Sequence, residues 1–147
     1  MPNLKTLLFV TPSETSTQWG LLILRVALAF FMIPHGYNKF NDLMAGGGTD
    51  FPDPFGVGPQ VSLGLTVFAE FFCSILLLLG LVTRFALIPL IICVFVIAFN
   101  IHWSDPIGDK EHALLYLAGY LANFLGGPGK FSVDERIVGK GEKGEKG

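Results

Sequence analysis

The sequence predicts an all-α integral membrane protein, a four-helix bundle with both termini on the cytoplasmic side, and three observations carry that prediction. The 147 residues are 51% hydrophobic and only 15% charged, with a mean hydropathy of +0.56, whereas an ordinary soluble domain carries about 25% charged residues. The apolar residues fall into four blocks, each close to the ~20 residues that a helix needs to cross the hydrocarbon layer. Lys and Arg gather in the segments that a four-span topology puts on one side.

Residues 1–18, MPNLKTLLFVTPSETSTQ, hold a single Lys and an apolar run too short for a secretory signal, with no small-residue cleavage site after it. They are expected to be a short cytoplasmic or interfacial leader. The membrane domain is expected over 19–130, with helices at about 19–40, 61–81, 84–103 and 111–127, the last being the shortest. Trp19 and Trp103 sit at the ends of their blocks as interface anchors. Val82 and Thr83 alone separate the second and third blocks, so these helices must form a tight antiparallel hairpin. The first connection, NDLMAGGGTDFPDPFGVGPQ, is long, acidic and rich in Gly and Pro, so it extends neither neighbouring helix. A loop of that length either caps a site or merely connects. Residues 131–147 alternate charge with Gly and offer little to bury after Val138, so a disordered tail is expected.

With four spans, the amino terminus, the tight turn and the tail share a side that carries Lys5, Arg84, Lys130, Arg136, Lys140, Lys143 and Lys146. The opposite side carries only Lys39 and Lys110. Both termini are therefore assigned to the cytoplasm.

The ionisable residues can then be ordered by depth. In RVALAFFMIPHGYNKF, Arg25 lies in the inner half of the first helix, His35 roughly ten residues or about 15 Å further out, and Lys39 at the rim. Glu70 lies near the middle of the second helix. Asn100 and His102 end the third helix, Glu111 and His112 begin the fourth, and Asn123 follows His112 at a helical offset of 11. Charge at mid-membrane costs about 2.5–3.5 kcal/mol per residue on insertion scales, which favours pairing inside the bundle. The expectation is an Arg25–Glu70 ion pair beneath an outward-opening polar cavity, with His35 and His102 as proton-exchanging groups and Lys39, Asn100, Glu111, His112 and Asn123 as ligand contacts. Each has a plainer reading as well: Arg25 can snorkel to the interface, Glu70 can anchor a neighbouring helix as a neutral acid, and Lys39, His102 and Glu111 can be solvated helix ends.

Other chemistries find little support. A net charge of −2 and the lack of a recognition motif argue against nucleic acid. GGPGKF, residues 126–131, lacks the leading Gly and the Ser or Thr of a P-loop. Glu111-His112 is not HExxH, and no metal site is assigned, although His35, His102, Glu111 and His112 have suitable donors should their helices converge. Cys73 and Cys93 show neither CxxC nor zinc spacing and read as buried thiols.

Several of these residues also form a pattern. An early Arg followed by HGxxKF (His35, Gly36, Lys39, Phe40), a Glu within the second helix (Glu70) and the LGLxTR stretch around Gly80 to Arg84 resemble the DoxX family over roughly residues 19–130. That family is named for its similarity to the small membrane subunit of thiosulfate:quinone oxidoreductase. The resemblance implies a four-helix bundle that meets quinone and works with a redox partner in a bacterial inner membrane, with Arg25, His35, Lys39 and Glu70 as its site. No cofactor motif is present in the sequence, so the cofactor stays unassigned, with a quinone open and a metal or haem less favoured. The alternatives are a non-catalytic scaffold for a redox enzyme and a small-solute carrier subunit, which would require self-association.

Overall fold

The computed structural model describes residues 13–144, and most of the leader lies outside them. The described residues are all-helical: α1 spans Glu14–Met44, α2 Pro59–Leu79, α3 Thr83–Ile101, α4 Ile107–Gly126 and α5 Val133–Gly144. The first three are long and apolar enough to cross a membrane. The fourth is long enough at 20 residues, but Asp109, Lys110 and Glu111 occupy its first turns. It nevertheless packs in the same bundle, against α3 and α1.

Helix boundaries reflect local chemistry. α1 starts five residues earlier than its apolar block because Ser13 caps it, accepting from Ser16 N at 3.2 Å, with Glu14 in the first turn. α2 opens with Pro59 at its first turn after Gly58 at φ 103°. Two π-helical turns interrupt the regular ladder, Phe68–Cys73 in α2 and Ile97–Ile101 in α3. Between the helices lies a core of Ala29, Met32, Cys73, Leu77, Ala86, Leu87, Leu90, Val94 and Tyr120. Phe30, Phe31, Phe72, Phe85 and Phe95 are exposed on the outside of the bundle. Such an apolar exterior suits lipid, not water.

The start of α1, the α2–α3 turn and the end of α4 meet at one end of the bundle. Trp19 packs on Phe131 at 4.6 Å between centroids, Lys130 N donates to Gln18 Oε1 at 2.9 Å, and Lys130 pairs with Glu14. The described part of the tail takes part: disorder is expected over 131–147, of which 145–147 lie outside the described residues, and α5 occupies Val133–Gly144. Ser132 Oγ accepts from Glu135 N at 3.1 Å, starting α5, and Asp134 N donates to Gly80 O at 3.0 Å. The Asp134 carboxylate then accepts from Val82 N at 2.6 Å and Thr83 N at 2.8 Å. It thereby satisfies orphan donors at the start of α3 and holds Val82 at φ 44°, an unusual conformation for a β-branched residue. Gly and alternating charge made the segment look unstructured. These specific bonds, not a buried apolar stripe, hold its beginning in place.

Two substitutions test this packing. A Cβ on Gly36 would lie 2.4 Å from Phe71 N and 2.5 Å from the Glu70 carbonyl carbon, so Gly36→Ala should push α1 off α2 and cost about 1–3 kcal/mol, read as a lower melting temperature in detergent. Burial alone would raise the Asp134 pKa, but bonds from Thr83 and Val82 and the nearby Arg25 hold it below the usual aspartate value. A group with a lowered folded pKa stabilises above its unfolded pKa and loses that contribution as pH falls through the folded value. The melting temperature of wild type should therefore exceed that of Asp134→Asn at neutral pH, and the gap should close on acidification below the ordinary aspartate range.

Candidate functional site

The close approach of Gly36 to the α2 backbone sets the site. One turn later on α1, Lys39 reaches Glu70, with Nζ 2.5 Å from Oε2. The Glu70 side chain is 3% exposed and that of Lys39 30%. Cys93 of α3 donates weakly to the other carboxylate oxygen, Sγ to Oε1 at 3.8 Å. Glu70 belongs to the π-helical turn of α2, a local irregularity frequent at functional sites. Removing one partner from a buried pair leaves an uncompensated charge, which costs about 3–5 kcal/mol.

Lys39 and Cys93 line a cavity of about 530 Å³ between the outer parts of α2 and α3, under the first loop. Its walls are mainly apolar, including Leu65, Phe68, Ala69, Pro89, Ile92, Val96 and Ile97, and its polar lining is Lys39, Ser62, Thr66, Cys93 and His102. Leu65, Phe68 and Ile92 are also exposed on the bundle exterior, so the cavity reaches the flank that faces lipid. Phe51, Pro52, Pro54 and Phe55 form its cover. Asp53 secures that loop to the start of α2 by accepting from Val57 N at 3.0 Å, Gly58 N at 2.7 Å and Ser62 Oγ at 2.7 Å. The Ser62 hydroxyl, together with the backbone donors, holds the Asp53 carboxyl below the usual aspartate pKa. At the rim, His102 Nδ1 lies 2.6 Å from Asp105 Oδ2.

The other expected site residues disperse. The Arg25–Glu70 pair does not form. Arg25 points to the opposite end, where its guanidinium donates to Pro128 O at 2.9 Å and Phe131 O at 3.1 Å. Gly80, at φ 69°, leaves room for it, since a Cβ there would lie 2.1 Å from Arg25 Nη1. The register of α1 brings Lys39, not Arg25, to the level of Glu70. His35, Asn100, Glu111 and His112 are exposed. Asn123 is fully buried. Among the described residues no group of three or more His, Cys, Asp or Glu is placed to hold a metal, and Cys73 and Cys93 are both free. Sequence reasoning missed Asp53, Ser62 and Asp134. Asp53 sits five residues before Gly58 in the turn-rich first loop, and Asp134 lies within S-V-D-E, a capping pattern, so both left a weak local signal.

A model of the DoxX family matches residues 20–103. An uncharacterised protein of Haemophilus influenzae is 30% identical over 125 residues, covering 80% of this chain and 83% of the relative. No solved structure matches. The matched region contains Gly36, Lys39, Glu70, Cys93 and the turn at Gly80, and a match over more than half the chain places this protein in the DoxX family.

Proposed function

We propose that the cavity binds a lipid-soluble ligand with an apolar body and a hydrogen-bonding head, of the quinone class, and that the protein serves a multi-pass membrane redox system in a bacterial inner membrane. The observation that carries the proposal is an apolar cavity of about 530 Å³ that reaches the lipid-facing flank and has Lys39, paired with Glu70, at its polar end. Ligand sites of about 300–1,000 Å³ usually combine such walls with a few placed polar groups. A ligand dissolved in the bilayer would enter between Leu65 and Ile92, without crossing water.

The roles rest on donor and acceptor capacity. Lys39 has only donors and would bind a carbonyl oxygen, while the Glu70 carboxylate, which stands behind Lys39 and does not itself line the cavity, would hold that ammonium in position. Thr66 and His102 offer further hydrogen bonds along the wall, and His102 would exchange protons with the outer side. These residues bind the ligand and move protons; a redox protein partner would take or supply the electrons. The loops between α1 and α2 and between α3 and α4 would face outward and both termini the cytoplasm, as the distribution of Lys and Arg supports.

Protein in nanodiscs titrated with a short-chain ubiquinone, with Trp fluorescence as the readout, tests this. Saturable quenching is expected for wild type, with affinity at least tenfold weaker in Glu70→Gln and Lys39→Met. Thr66→Trp should fill the cavity and abolish binding, while Phe31→Ala, on the exposed face of α1, should bind as wild type does. If wild type shows no saturable signal, the scaffold reading replaces this one.

A further inference from the structure

Behind the cavity, on the side of Glu70 away from the loops, lie polar groups that the ligand reading does not use. Ser74, Tyr120 and Asn123 are each 0% exposed. Ser74 Oγ, the Tyr120 hydroxyl and both amide atoms of Asn123 make no well-formed hydrogen bond among the described residues. Exchanging the amide oxygen and nitrogen of Asn123 does not remedy this, because neither position has a partner. Buried polar atoms in folded proteins are almost always satisfied, by protein or by ordered water.

Ser74 and Tyr120 face each other across a seam inside the bundle, and Asn123 follows Tyr120 along α4. α2 and α4 run in the same direction, both ending at the Gly80–Pro128 end of the bundle. Along α4, Tyr116, Tyr120 and Asn123 succeed one another at offsets of four and three, which is one helix face, and the two tyrosine rings stack at 5.8 Å. Across from them on α2, Ser74 comes four residues after Glu70. The Tyr120 hydroxyl faces Ser74 and lies within electrostatic reach of Glu70 and Cys93. At the far end Arg25 Nε is likewise buried without a partner among the described residues, in the cluster that Asp134 organises.

We propose that Ser74, Tyr120 and Asn123 form a buried water-binding site that continues from Glu70 toward the Thr83 and Arg25 end of the bundle. Its ligand is water: each of these side chains bonds water readily, and a bound water usually needs two to four polar partners. The site gives the Glu70 carboxyl a proton route that avoids the apolar cavity. Hydration of this seam stands whether or not the cavity takes a quinone, so quinone titration and a measurement of seam hydration fail independently.

Water-edited solid-state NMR on the full chain in liposomes, with asparagine labelled, reads the site directly. The chain has five asparagines, Asn3, Asn38, Asn41, Asn100 and Asn123, and loss of one signal in Asn123→Leu assigns the buried amide. The Asn123 side-chain amide should gain water magnetisation about as fast as that of exposed Asn100. In Ser74→Ala combined with Tyr120→Phe that build-up should slow severalfold. A build-up at Asn123 in wild type many-fold slower than that of Asn100 means a dry seam and overturns the proposal, and this wild-type measurement decides even if the variants fail to fold. An unchanged build-up in the double variant overturns the assignment to Ser74 and Tyr120.

Discussion

The contact of Gly36 with the backbone of α2 is the constraint on which the rest depends. It brings the helix axes so close that any side chain at position 36 would overlap Glu70 and Phe71. Only at that separation does Lys39, one turn on, bridge to a carboxylate buried inside the bundle. The pair in turn makes the Glu70 carboxylate tolerable there, since a buried charge persists only where it is paired and hydrogen-bonded. The cavity's polar end is therefore a consequence of helix packing and not an added feature.

The two ends of the bundle solve the same problem with different means. Near the loops, a carboxylate is neutralised by a lysine that keeps some contact with the exterior. Near the termini, the buried Arg25 is held by the carbonyls of Pro128 and Phe131, with Asp134 close by. A planar guanidinium with several fixed donors suits diverging carbonyls, whereas a single ammonium suits one carboxylate. Arg25 thus ties α1 to the α4–α5 connection, and Asp134 ties α5 to the α2–α3 turn. This end reads as a structural clasp, which leaves the loop end free to carry chemistry.

The fold was legible because membrane-length apolar blocks and a two-residue turn leave few arrangements open. Lys39 and Glu70 were legible as members of a site, but their pairing was not. Depth counted along α1 put Arg25 nearer Glu70 in prospect, because a count of residues does not reveal where two helices touch, and Gly36 as the contact point fixes the level at which they meet. α5 was missed for a related reason. Its stability comes from Asp134 reaching residues 82 and 83, about fifty positions away in sequence, and no window along the tail contains that partner. Asn123 was singled out by its alignment with His112, yet the structure leaves His112 exposed and buries Asn123.

The irregular turns give the site its shape. A π-helical turn adds a residue to a helix and rotates the remainder of that helix about its axis, and both π segments, Phe68–Cys73 and Ile97–Ile101, contribute residues to the cavity wall. Pro89 lies in the same wall, and its missing N–H leaves a carbonyl of the preceding turn without its helical partner. Three departures from an ideal helix thus converge on one volume, while the core on the other side of α3, at Ala86, Leu87, Leu90 and Val94, is tightly buried. Close packing elsewhere makes the cavity informative: a bundle able to exclude space around Leu87 keeps it open beside Lys39, where helix irregularity and charge coincide.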